Sequence, residues 1–210
     1  MGRTRVISEE QVLDAAENVV KKKGASHLTI EAVASQAGIS KASVLYIYKT
    51  KGALIKAVVD RLIRADAAVN ESAITGLGQV DDAVIRGRIL AASDSMKDEM
   101  RSVALNLTAS LAHDPRLRKS GRLYLESVVT RIKETSAHPR GAMLAHLALE
   151  GMKLLELLDL HTWTESERKH LMKDIEWLVG TDPGRPLSQA APGVRKAIGA
   201  PKRASRPTQR

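Results

Sequence analysis

From residue 8 to about residue 180, apolar positions recur every three or four residues, the spacing that lines one face of an α-helix. Ser8 and Gln11 form a capping box ahead of Val12, Ala15, Ala16, Val19 and Val20, and Lys21, Lys22, Lys23 and Gly24 close the helix so predicted. Thr29 opens a short second helix with Ile30, Val33, Ala34 and Ala37 inward, ending at Gly38. Ser40 caps a third over about 41–48, and a fourth begins near Thr50 with Leu54, Val58, Leu62 and Ala65. The Gly-containing stretch 74–81 reads as a break, and Asp81 and Asp82 suit a new helix start. Residues 81–99 and 101–112 read as two helices or one bent one. Pro115 opens another, reaching about Thr135 and carrying Leu123, Val128 and Ile132. Pro139 separates it from a strongly apolar helix over 141–160. Thr164 and Glu167 make a second capping box ahead of Leu171, Ile175 and Leu178. The expectation is an all-α chain of about nine helices, with no convincing strand.

After Gly180 the periodicity stops, and 181–210 is rich in Pro, Gly, Ala and Arg. A disordered basic tail is expected there. The expected organisation is a flexible basic arm over 1–7, a small domain over 8–55, a larger helical domain over 56–180, and the tail.

Composition supports the helical reading. The chain of 210 residues has no Phe, three Tyr and two Trp, so its core must be aliphatic. Strands draw more heavily on aromatic and β-branched residues. The absence of Cys removes disulfides and thiolate metal sites. The N-terminus lacks the apolar segment of a signal peptide, and no apolar run approaches the roughly 18 residues of a membrane span, so a cytoplasmic protein is expected. The net charge of +9 is uneven: +3 over 1–55, zero over 56–179 and +6 over 180–210. Basic ends point to a polyanion partner.

No H-E-x-x-H, G-x-S-x-G or Walker A pattern occurs, so no convergent catalytic set is in view and no enzyme is expected. His146 and Glu150 have the i, i+4 spacing of two metal ligands, but no third accompanies them; no metal or other cofactor is expected.

The second and third helices are joined by Ala37-Gly38-Ile39-Ser40, which gives a short helix, a Gly turn and a short helix. That arithmetic is a helix-turn-helix, with Ile39 and Val44 filling the wedge and the third helix pushed outward toward a DNA major groove. Over residues 28–60, "LTIEAVASQAGISKASVLYIYKTKGALIKAVVD" resembles the N-terminal signature of the TetR family of bacterial transcriptional regulators. The features that carry it are T-I-x-x-V-A in the second helix, A-G-I-S at the turn, S-K-x-S-V-x-Y after it, and an aromatic before K-x-K. "LALEGMKLLELLDL" and "TESERKHLMKDIEWL" are similar, more loosely, to the last two helices of many members. The sequence departs from the pattern at Leu45, Tyr46 and Ile47; Ile47 stands where a His is common and removes a polar contact. The resemblance implies a small DNA-binding domain joined to a larger effector-binding and dimerisation domain.

On that reading Thr29, Ser40, Lys41, Ala42, Ser43, Tyr46 and Lys51 are candidate DNA contacts. Thr29 can equally serve only as a helix cap, and the third helix can be a plain solvated face. Lys51 at a helix start can share a phosphate with backbone N–H groups. Arg3 and Arg5 form an arm able to enter a minor groove, or a frayed terminus. Met96, Met100, Leu105, Thr108, Tyr124, Met143 and His146 are candidates for an effector pocket, with ordinary helical core as the competing reading. Low aromatic content favours an aliphatic or lipid-like effector over flat aromatic cations.

Leu144, Leu147, Gly151, Leu154, Leu155 and Leu158, joined by Leu171, Ile175 and Leu178, suggest a homodimer built as a four-helix bundle. A twofold dimer would read a palindromic operator in double-stranded DNA. The function expected is repression relieved by a small-molecule effector. The alternative is a ligand-independent architectural DNA-binding protein.

Overall fold

The computed structural model describes residues 8–94 and 98–183. The arm with Arg3 and Arg5, Met96, and the tail beyond residue 183 lie outside them. The described residues form nine α-helices and no strand: α1 (Glu9–Lys23), α2 (Ile30–Ala37), α3 (Lys41–Ile47), α4 (Lys51–Gly76), α5 (Ala83–Ala91), α6 (Asp98–His113), α7 (Pro115–Thr135), α8 (Pro139–Leu157) and α9 (Glu165–Val179). A single 3-10 turn, Ala25–His27, links α1 to α2.

Both predicted capping boxes form. The Ser8 hydroxyl accepts from the Gln11 N–H, and the Gln11 side-chain oxygen accepts from the Ser8 N–H. Thr164 and Glu167 do the same at α9. These reciprocal bonds satisfy backbone donors that a helix start otherwise leaves unpaired.

Two apolar cores follow from the pattern. The first joins α1, α2, α3 and the opening half of α4 through Val12, Val20, Leu28, Val33, Val44 and Leu54. The second joins α5, α7, α8 and α9 through Ile85, Ile132, Ala145, Leu149 and Val179. Helix α4 serves both: Leu54 and Val58 lie in the first, and Ile74 packs on the second. At 26 residues it is about 39 Å long and runs unbroken through residue 55. Helix α6 also crosses over, since its Val103 is buried in the first core.

Three local expectations are corrected. The helix over 81–99 stops at Ala91. The buried Arg168 guanidinium of α9 takes the carbonyls of Ala92, Ser93 and Asp94, which a continuing helix would have used itself, and also binds Glu156 at 2.9 Å. Pro139 does not separate two helices but begins α8, where a missing N–H costs nothing. That helix ends at Leu157, short of 160, with Asp159 in the left-handed region at φ 56°. Asp82 does precede α5, but with φ 58° and no side-chain cap; its carboxylate accepts from the Ala137 N–H at 3.0 Å, tying the start of α5 to the α7–α8 turn.

Candidate nucleic-acid interface and C-terminal domain

The turn between α2 and α3 is made at Gly38, with φ 66° and ψ 36°. A Cβ there would meet nothing, so glycine is needed for the backbone angle and not for space. Ile39 then returns its N–H to the Ala34 carbonyl, and Ser40 caps α3 by accepting from the Ser43 N–H at 3.0 Å. Val44 and Tyr48 point inward, both buried in the first core. The Tyr48 hydroxyl donates to the Glu9 carboxylate at 2.8 Å, and burial, followed by that bond, pushes its pKa well above the usual tyrosine range.

The opposite side of α3 faces solvent. Tyr46 is 80% exposed, and the Lys49 ammonium stands 5.1 Å from its ring centroid. Lys41 and Ala42 are exposed one turn earlier, and Lys51 is exposed in the first turn of α4. The Lys41 ammonium pairs with the Glu31 carboxylate of α2, and that bond leads the lowering of the Glu31 pKa. The hydroxyls of the other candidates are engaged locally. Thr29 accepts from the Ala32 N–H at 3.0 Å, and the hydroxyls of Ser40 and Ser43 lie 2.8 Å apart. The fold therefore presents Lys41, Ala42, Tyr46 and Lys51 together, while Thr29, Ser40 and Ser43 hold helix ends. Lys49 belongs with the presented group and was missed; its signal was its position three residues after Tyr46.

Arg61 of α4 was missed as well. It binds Asp14 at 2.5 Å and lies 3.4 Å from both Glu10 and Glu17, so three carboxylates of α1 converge on one guanidinium. This clamp fixes α4 to the first domain.

Among the described residues the effector-pocket candidates do not gather in one pocket. Met96 and the Met100 side chain lie outside the described residues. Leu105 is partly exposed on α6, and Thr108 lines a groove of about 740 Å³ between α4, α6 and α7. Tyr124 and Met143 pack on the second core instead. His146 is buried beside a polar network that sequence reasoning missed. At its centre Arg88 of α5, only 2% exposed, donates to the Glu150 carboxylate at 2.7 Å and to the Tyr124 hydroxyl at 3.0 Å. Asn70 and Asp66 of α4 complete it around Tyr124. Helical spacing places His146 beside Glu150, but it cannot say that α5 brings an arginine onto Glu150. The His146 Nδ1 is left without a hydrogen bond, 3.9 Å from Glu150. Burial lowers the His146 pKa; Glu150 opposes this, and Arg88 and Lys153 reinforce it. Among the described residues no three His, Asp or Glu side chains gather as for a metal ion.

The proposed dimer residues divide. Leu144, Leu147, Gly151, Leu154 and Leu155 are exposed along one side of α8, with Trp177 of α9 65% exposed nearby in sequence to Leu178. Leu158, Leu171 and Leu178 are half-buried. Ile175 is a correction: it is buried in the second core, because α9 turns it toward α5 and α8.

Family models match both parts of the chain. One, for bacterial regulatory proteins of the tetR family, spans residues 12–58; the other, a tetracyclin repressor-like C-terminal domain, spans 82–180. The chain belongs to the TetR family. TetR-family proteins are DNA-binding transcriptional regulators, and the helix-turn-helix described above occupies the first match. Solved structures share the TetR fold. A transcriptional regulator from Rhodococcus sp. Rha1 superposes with a TM-score of 0.68 at 18% identity, covering 84% of this chain and 98% of that one. A protein described as a transcriptional regulator from Streptomyces coelicolor A3(2) gives 0.67 at 15%, covering 82% and 98%. The multidrug binding protein EbrR complexed with malachite green gives 0.64 at 21%, also covering 82% and 98%. No curated protein matches in sequence. No helix among the described residues of this TetR-family chain is long and apolar enough to cross a membrane.

Proposed function

We propose that this protein is a homodimeric repressor that binds a palindromic operator and is released from it by a small molecule held in the C-terminal domain. The observation that carries the reading is Tyr46. A tyrosine exposed to this degree, with Lys49 beside its ring and Lys41 and Lys51 exposed on the same and the following helix, gains nothing from the protein's own core. It suits a phosphate or a base edge, with the lysines supplying the sequence-independent attraction.

The path for release runs through α6. That helix lines the α4/α6/α7 groove with Ala104 and Thr108, buries Val103 in the first core, and sets the Asn106 side chain against Gly24 at the end of α1. A ligand that wedges the groove shifts α6, and α6 is keyed to the DNA-binding domain. The ligand moves the equilibrium only by its differential affinity for the two arrangements. EbrR, a protein of the same fold, is solved with malachite green, which supports a small-molecule role for such a domain.

Selecting bound DNA from a random pool and footprinting the product tests the proposal. The expected product is a short palindrome protected as two half-sites. Diffuse coverage without a preferred sequence would instead establish the architectural reading.

A further inference from the structure

The α4/α6/α7 groove has a specific chemical character. Its walls are aliphatic: Val59, Leu62 and Ile63 from α4 face Leu125 and Val129 from α7. Among the described residues no aromatic side chain lines it. Gly121 lies in the middle of α7, where glycine is unfavourable in a helix. A Cβ there would stand 3.8 Å from the Ile63 Cδ1, an ordinary contact, so packing does not demand glycine. What the missing side chain does provide is open space along the groove. On the same helix Arg118, Arg122 and Glu126 border the groove. Arg122 has no ion pair among the described residues, and it is exposed.

We propose that the groove binds a straight-chain aliphatic carboxylate, its tail along Leu62, Ile63 and Leu125 and its head at Arg122; this inference rests on the effector-release reading above. A groove of about 740 Å³ falls within the range of small-molecule sites. Flat aromatic cations are disfavoured, since the described lining lacks the ring faces that hold them.

The test is calorimetric titration of the full chain with octanoate, decanoate, decanol, decyltrimethylammonium and ethidium, each below its aggregation threshold, beside operator binding by fluorescence anisotropy. Decanoate is expected to bind, to exceed octanoate by roughly fourfold per added methylene, and to release the operator. Arg122→Gln should weaken decanoate about fivefold and leave decanol unchanged. Gly121→Leu should abolish binding of both by filling the groove, with the helical circular dichroism retained. No binding of decanoate, or equal binding of decanoate and decyltrimethylammonium, would overturn the assignment. If ethidium alone bound and released the operator, effector release would stand and the carboxylate class would fall. If decanoate bound in the stated pattern but left operator affinity unchanged, the ligand class would stand and release would fall.

Discussion

Tyr46 and Tyr48 lie two residues apart and point about 200° apart at the helical step of about 100° per residue. One is solvated beside Lys49, and the other is buried against α1. Tyr46→Ala should therefore leave the midpoint of thermal unfolding nearly unchanged and lower operator affinity by about tenfold, a scale set by about 1–3 kcal/mol for a specific contact. Tyr48→Phe should do the reverse, costing about 1 kcal/mol in chemical denaturation through the lost Glu9 bond, with the operator affinity of the folded protein kept. The buried polar residues allow a prediction about pH. His146 is held neutral by burial, so its folded pKa lies below the ordinary value of about 6.5. As pH falls through that ordinary value, the unfolded chain takes up a proton that the folded chain refuses, and stability is lost. His146→Gln should thus flatten the fall of unfolding free energy between pH 7 and pH 5 relative to the parent. A pH profile that is unchanged in the variant would show that His146 titrates alike in both states.

At the scale of elements, glycines with the same helical context carry opposite consequences. At Gly87 of α5 a Cβ would overlap the Ile74 side chain and stand 2.7 Å from the Ile74 Cα, so α4 and α5 meet there at backbone distance. Gly87→Ala should cost about 1–3 kcal/mol as an overpacked contact. Gly121→Ala in α7 meets only ordinary contact and should stabilise by about 0.5–1 kcal/mol through helix propensity. Urea unfolding of the two variants checks both signs at once. The contrast also marks what the sequence makes legible. Helix positions followed from apolar period and caps: Ser8, Thr29, Ser40, Thr50 and Thr164 each cap where a polar residue precedes a periodic run. The face of α3 was legible too, since Val44 and Tyr48 share one side and Ala42 and Tyr46 the other. What periodicity cannot supply is the partner of each face. Ile175 looks like an interface residue until α9 is seen to turn it inward, and Arg88 looks like a surface arginine until Glu150 and Tyr124 are seen to enclose it. The end of α5 was hidden for the same reason, because Arg168, which captures the carbonyls of Ala92 and Asp94, is more than seventy positions along the chain.

For the whole molecule, a prominent exposed apolar feature among the described residues is the leucine stripe of α8. Leu144, Leu147, Leu154 and Leu155 recur at helical spacing and are all exposed, Leu147 by 62%, with Gly151 open between them. Scattered exposed leucines are ordinary on protein surfaces, but a contiguous stripe of this kind marks an association surface. We propose a second copy as its partner, because a twofold axis would let the same stripe meet itself and the open Gly151 would let the two helices come close. On the proposed reading a dimer would matter to function through geometry: two copies of α3 held about one turn of DNA apart would bind a palindrome far more tightly than either alone. Leu147→Glu places a charge in the middle of that contact, and two copies meet across the axis, so the repulsion counts twice. The variant should sediment as a monomer at micromolar concentration, and its thermal midpoint should not rise with protein concentration, whereas the parent's should. It should bind an isolated half-site as the parent does, since Tyr46 and its lysines are untouched, and should lose at least about a hundredfold in affinity for the full palindrome. A Leu147→Glu chain that remained dimeric with parental palindrome affinity would remove α8 from the interface and leave the stripe for another partner.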